Sequence, residues 1–296
     1  MKLAVCTLIL MLGLLGCSPS KTLDVFGTIP DNHQAILATK VLRLGEQRVS
    51  FLLADSHGMV TASRVSVTSY FGNIDTRSSE IHETKIAEFQ RWPYGQRGSY
   101  TTRMSFDRHG TWLLDIKIIE KDDLSGVQLF VEVLDGYEVV DVGQTAPRSL
   151  NKTMRTVDTV DQLTSGSVAT PELYEMTIAD AVVNGKPTMI VFASPAFCSS
   201  VTCGPQVATV AELSKRYDEC VDFIHVELYG NPHEILGDLS RATLSPLVVE
   251  WGLTTDPEWS NESWVFLVGR NGLVKARFEG YTAFKELRLA LEAELN

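Results

Sequence analysis

Two cysteines five positions apart, Cys198 and Cys203 in "FCSSVTCGPQ", carry the clearest chemistry in the chain. They follow a short β-branched and aromatic run and precede a Pro-led segment with helical spacing, which places them at a strand-to-helix junction. Such a pair can be a redox disulfide, a metal clamp or a structural staple. Spacing bears on which geometries are open. On one regular helix the two Cα atoms would be rotated by roughly 140° and separated by about 7.5 Å along the axis, beyond the usual reach of a disulfide. Bonding therefore requires a loop or local unwinding. Gly204–Pro205 supplies a helix start and favours the loop, because Pro fits a first helical turn and disfavours helical geometry in the residue before it, which leaves Cys203 just outside the helix and Cys198 on its approach. A helix N-terminus beside a thiol lowers its pKa through unpaired N–H groups and partial positive charge.

The remaining cysteines set the context. Lys2 and the apolar stretch "LAVCTLILMLGLLG" end in "LLGC" at Cys17, followed by the polar "SPSKT". That stretch is short for a membrane span and reads as a leader. "LLGC" resembles the lipobox of bacterial lipoproteins, which implies cleavage before Cys17, lipid attachment there, and an extracytoplasmic compartment that tolerates disulfides. A leader over 1–17 removes Cys6, so Cys198, Cys203 and Cys220 remain, with Cys220 expected as an inert buried thiol. One close pair plus one odd cysteine points to a local device rather than a disulfide framework.

Two domains are expected from 296 residues. The net charge of −11 and the lack of a basic run exclude a nucleic-acid binder. Residues 24–140 alternate with period two, as in Val49, Phe51, Leu53 and in Trp112, Leu114, Ile116, Ile118. The runs are broken by turn clusters such as "DSHG" and "DRHG". This pattern predicts an antiparallel β-sandwich of immunoglobulin-like type, with no catalytic constellation of its own. "RHGTWLLDIKI" resembles small periplasmic immunoglobulin-like modules. Apolar density falls over 141–170, read as linker and domain entry, and strand then alternates with helix over 171–296. Thr177 is a candidate N-cap with Asp180 three residues on. "TMIVFA" and "VDFIHVEL" read as strands around the helix "PQVATVAELSKRY". "WVFLVGRNGLVKARF" reads as a hairpin turning at Asn271–Gly272 in type I′ geometry, before a final helix.

Strand–helix–strand, hairpin and terminal helix is the element order of the thioredoxin-like superfamily, which residues 142–296 resemble. "VGQTAP" and "NGKPTMIVFASPAFC" resemble the opening segment and active-site loop of its thioredoxin-like reductases and peroxiredoxins. The four-residue spacing in "CSSVTCG" resembles one peroxiredoxin branch. Peroxiredoxins, however, carry Thr or Ser and Pro where this chain has Pro195 and Val191. Setting "TCGPQ" on the thioredoxin motif instead would make Cys203 a lone nucleophile with Gln206 in place of its partner. The resemblance implies a thiol–disulfide oxidoreductase acting on protein thiols or disulfides without a cofactor, Cys198 attacking and Cys203 resolving, with Gly204 and Pro205 supporting. It also places a cis-proline at the start of the hairpin strand, where this chain has Ser263 before Trp264. Two alternatives stay open. One is copper handling by Cys198, Cys203 and His225, although a His within "FIHVEL" is more often a core residue. The other is a redox-inactive interaction module. Trp251, Trp259 and Trp264 pack or bind peptide near the site edge.

Overall fold

The computed structural model describes residues 33–72, 80–119, 126–136, 138–167, 170–199, 201–254 and 261–296. The leader, Cys17 and Trp259 lie outside them. Eight strands build the first unit: β1 (Gln34–Leu37), β2 (Gly45–Asp55), β3 (Gly58–Met59), β4 (Arg64–Phe71), β5 (Glu83–Arg91), β6 (Gly98–Phe106), β7 (Gly110–Ile118) and β8 (Val127–Val133). Period-two alternation turns Val49, Phe51 and Leu53 inward with Tyr100, Trp112 and Leu114 around one core. Instead of two facing sheets, the strands form one continuous sheet in the order β1-β2-β6-β5-β4-β7-β8, with β3 paired to β2. It curls until Leu42, just past β1, bridges Val133 of β8, and Leu134 N–H donates to Leu42 O at 3.0 Å. The immunoglobulin-like sandwich expected from alternation is thus corrected to a curled, barrel-like sheet. Alternation fixes which face is buried but not which strands pair.

The second unit comprises α1 (Ile178–Ala181), β9 (Thr188–Ala193), α2 (Cys203–Tyr217), β10 (Asp222–Glu227), α3 (Pro232–Ile235), α4 (Pro246–Glu250), β11 (Trp264–Val268), β12 (Val274–Glu279) and α5 (Phe284–Leu295). Its four-stranded sheet runs β10-β9-β11-β12. β9 and β10 are parallel, while β11 is antiparallel to both β9 and β12. Strand–helix–strand followed by hairpin and helix is the element order expected of a thioredoxin-like domain. One face carries Met189, Val191, Phe223, Val265 and Leu267 against α2 and α5. The other carries Ile190, Phe192, Ile224 and Phe266 against Trp251, Val248 and Ile178. Covered on both faces, β9 and β10 are buried along their whole length.

Three local expectations change. The hairpin turn is not type I′: Gly272 has φ +73° while Asn271 is not among the residues with positive φ, and Gly272 N–H donates to Gly269 O at 2.9 Å, giving a longer loop with a shift in pairing at Leu267/Val268. The Thr177 cap forms, accepting from Asp180 N at 3.1 Å, but its helix is a single turn. Finally, the segment read as linker and domain entry is tied to the second unit at its start. Thr145 bridges Leu273, and Gly143 and Ala146 donate to Val274 O and Gly272 O.

The two units meet over a polar and apolar seam. Leu52, on the outer face of β2, joins Ala38 and Trp92 against Tyr281 and Ala283, which explains why β2 is buried on both sides. Arg48 donates to Glu279 O, Tyr281 O and the Glu286 carboxylate at 2.7–2.9 Å. Val41 N–H donates to Glu279 Oε2 at 2.9 Å.

Candidate functional site

β9 ends at Ala193, and α2 begins at Cys203. Cys198 and Cys203 are joined as a disulfide with Cα atoms 5.8 Å apart. Cys198 is part-exposed, whereas Cys203 is fully buried. An external thiol therefore has access to Cys198 and none to Cys203.

The expectation that Cys203 sits outside the helix is corrected. It is the first helical residue, and even Thr202 has φ −85°, ψ −24°. Pro205 disfavours helical geometry in the preceding residue partly by clashing with its Cβ, and Gly204 has none. Pro205 falls in the first turn, where its missing N–H would have had no intrahelical partner. The Thr202 side chain does not cap α2. Its hydroxyl instead donates to Glu262 Oε2 at 3.0 Å and lies 3.7 Å from Cys198 Sγ, while Glu262 and Thr202 are both buried.

The loop preceding β11 faces the pair, though not through Ser263. Asn261 does so: its carbonyl oxygen lies 3.6 Å from both sulfurs. Its amide oxygen accepts from Ser199 N and Ser199 Oγ at 2.7 and 2.8 Å, and its amide nitrogen donates to Phe197 O and Tyr229 Oη at 2.6 and 2.9 Å. Among the described residues no peptide bond is cis. Ser263 is buried with its carbonyl accepting from Gly280 N and its hydroxyl without a protein partner. Trp264 leaves the site altogether. It points to the opposite face of the sheet from Cys203, stacks on Phe266 at 6.0 Å and has the Arg277 guanidinium 5.8 Å over its ring. Trp251 packs on Phe266 in the same core.

His225 does not join the cysteines either. With the ring neutral, Nε2–H donates to Ala193 O at 3.0 Å and Nδ1 accepts from Tyr174 Oη at 2.6 Å. Burial pushes its pKa down to about 4 and that of Tyr174 up to about 12. Among the described residues no group of three metal-ligating side chains forms. Cys220, expected buried, is an exposed free thiol just past the end of α2. Glu227, on the same strand as His225, is a buried carboxyl whose pKa burial raises. It accepts from Ser165 N at 2.8 Å, and Ser165 Oγ accepts from Ala196 N at 3.1 Å, which ties down the start of the cysteine loop.

The first unit reaches this site through the β5–β6 connection. Tyr94 extends over the first turn of α2, so close that a Cβ on Gly204 would fall 2.8 Å from its hydroxyl. Gln96 and Arg97 line a groove of about 660 Å³ together with Ile36, Met59, Ser199 and Val201. Val201, between the cysteines, is half-exposed and holds φ +59°, a conformation that β-branched residues rarely adopt. Sequence alone flagged neither Asn261 nor the Trp92–Arg97 connection. The Pro–Tyr–Gly of that connection marks only a turn.

No protein-family model and no curated protein matches the chain. Among solved structures, it is similar to a thiol:disulfide interchange protein of the thioredoxin family from Chlorobium tepidum TLS. The TM-score is 0.34 and the identity 10%, over 55% of this chain and 100% of that one. A likeness of that size carries no argument, and the fold reading rests on strand order and direction.

Proposed function

We propose that the chain is a thiol–disulfide oxidoreductase in which Cys198 and Cys203 cycle between disulfide and dithiol. The observation that carries this reading is the asymmetry of the pair: a part-exposed cysteine bonded to a buried one at the first residue of a 15-residue helix. A substrate thiolate attacks Cys198 Sγ, the Cys198–Cys203 bond breaks, and Cys203 leaves as a thiolate that the helix N-terminus favours. A second substrate thiolate then attacks the substrate sulfur of the mixed disulfide. This releases Cys198 as a thiolate and the substrate as a disulfide, with two electrons passed to the pair. In the opposite direction the Cys198 thiolate attacks a substrate disulfide, and Cys203 resolves the mixed disulfide. Grooves border the cysteine loop at Ser199 and Val201 and at Pro195, Ala196 and Gly204, the first walled largely by the first unit and the second touched by its Tyr94, so that unit is part of the approach to the loop.

Single-cysteine variants test the roles. Cys203→Ser leaves Cys198 able to trap a mixed disulfide with glutathione or a protein thiol, whereas in Cys198→Ser the buried Cys203 traps none. Trapping is read at each cysteine by peptide mapping, because the exposed Cys220 also reacts; equal trapping at Cys198 and at Cys203, or at neither, overturns the assignment. Lipid anchoring at Cys17 in a bacterial cell envelope belongs to the same proposal. It predicts a mature N-terminus at a diacylated Cys17, read by mass spectrometry of the native protein; an unmodified N-terminus elsewhere contradicts it.

A further inference from the structure

We infer that Asn261 is the positioning residue of the cysteine pair, its side-chain amide clamping the Cys198 loop to the segment before β11 and to the chain after β10, and thereby setting the equilibrium between disulfide and dithiol. This deepens the reading of Cys198 and Cys203 as an exchanging pair and rests on it. Three features converge on one residue. Asn261 is 6% exposed and holds φ +42°, a left-handed conformation that Asn tolerates better than most side chains. That conformation turns its carbonyl oxygen toward both sulfurs, 3.6 Å away. Its amide makes two hydrogen bonds to Ser199 and one to Phe197 O, so both immediate neighbours of Cys198 are held, and a fourth to Tyr229 Oη ties the clamp to the chain just after β10.

The carbonyl and the amide act differently in the two redox states. In the disulfide neither sulfur carries a hydrogen, so the carbonyl is only a neighbour. In the dithiol it is placed to accept S–H from either cysteine. The amide works through entropy. A loop already ordered around Cys198 loses little freedom when the bond closes, whereas an unclamped loop gains freedom in the dithiol that the disulfide must then remove. Deleting the amide therefore weakens closure.

The reaction to measure is protein dithiol plus glutathione disulfide giving protein disulfide plus two glutathione, with two electrons passing from the cysteine pair to glutathione. Asn261→Gly is the decisive variant, since it keeps the backbone conformation and the carbonyl while removing the side chain. A net hydrogen bond is worth about fivefold in an equilibrium constant. We expect the closing constant to fall about five- to tenfold, equivalent to a potential about 20–30 mV higher. A merely structural role would lower the melting temperature of the oxidised and reduced proteins alike and leave this constant unchanged. The inference instead requires a larger loss in the oxidised form.

Ser199→Ala, which removes only the hydroxyl arm, should lower the constant in the same direction by a smaller factor, and it decides the matter if Asn261→Gly does not fold. A constant within twofold of wild type in the folded variants overturns the inference. Because closure is measured with glutathione alone, an unchanged constant in a pair that still traps protein thiols would sink this inference and spare the proposed function. A shifted constant in a pair that traps none would do the reverse.

Discussion

Glu279 ends β12 with its carboxyl buried in the seam between the two units, and burial pushes its pKa up to about 7. The N–H groups of Val41 and Lys40 and the charge of Arg277 favour the anion, but desolvation, helped by the nearby Glu262, outweighs them. The linkage sign follows. The folded pKa lies above the ordinary carboxyl value of 4.5, so the folded state binds more protons between about 4.5 and 7, and stability falls as pH rises through that window. A shift of this size corresponds to about 3 kcal/mol. The full benefit of the neutral carboxyl is present below the lower value and gone above the upper one. Other carboxylates, such as Glu292 with its lowered pKa, act in the opposite sense, so the quantity to measure is a difference. Urea unfolding of the oxidised wild type and of Glu279→Gln, from pH 4.5 to 8, should give a wild-type advantage that shrinks by about 3 kcal/mol, most of it between pH 5 and 7. Any hydrogen bond lost in the amide contributes a constant offset. A difference that stays flat across the range would refute a neutral, buried Glu279.

Gly204→Ala should destabilise in urea unfolding by about 1 kcal/mol or more, because the new Cβ would clash with the Pro205 ring in helical geometry and lie 2.8 Å from the Tyr94 hydroxyl. Gly252→Ala should cost about 2 kcal/mol or more in the same assay, since φ is +68° and the new Cβ would lie 2.0 Å from Glu138 O. Tyr174→Phe removes the hydroxyl that His225 Nδ1 accepts from, and should destabilise by about 1–3 kcal/mol in urea at neutral pH. Any Cu(I) affinity of the reduced protein should be unchanged by His225→Ala in a competition titration, because both ring nitrogens are already engaged. Iodoacetamide should label Cys220 in the oxidised protein, with Cys198 labelled only after reduction, as read by peptide mapping.

Local pattern made the elements of the second unit legible. "TMIVFA" is β9 to the residue, and the cysteine pair does lie at the junction of that strand with α2, Cys203 being the helix's first residue. What stayed illegible depends on contacts distant in sequence. Period-two runs announced the strands of the first unit but not their closure through Leu42 and Val133, since pairing is written in no local signal. Counting back from Asn271–Gly272 reached Ser263, two residues past Asn261, because the longer hairpin loop displaced the register. A lone Asn in "SNES" carries no sign that its backbone will be left-handed beside two sulfurs. Trp264 has the residue type of a binding rim, yet strand parity sends it to the face opposite Cys203.

The central claim is that Cys198 and Cys203 exchange with external thiols rather than staple the loop. The reduction potential of the pair tests it most directly, measured by titrating the protein against glutathione and dithiothreitol buffers and counting alkylated Cys198 and Cys203. An exchanging pair should lie above about −300 mV, within reach of cellular dithiols, whereas a potential well below that value would mark a structural disulfide and contradict the account.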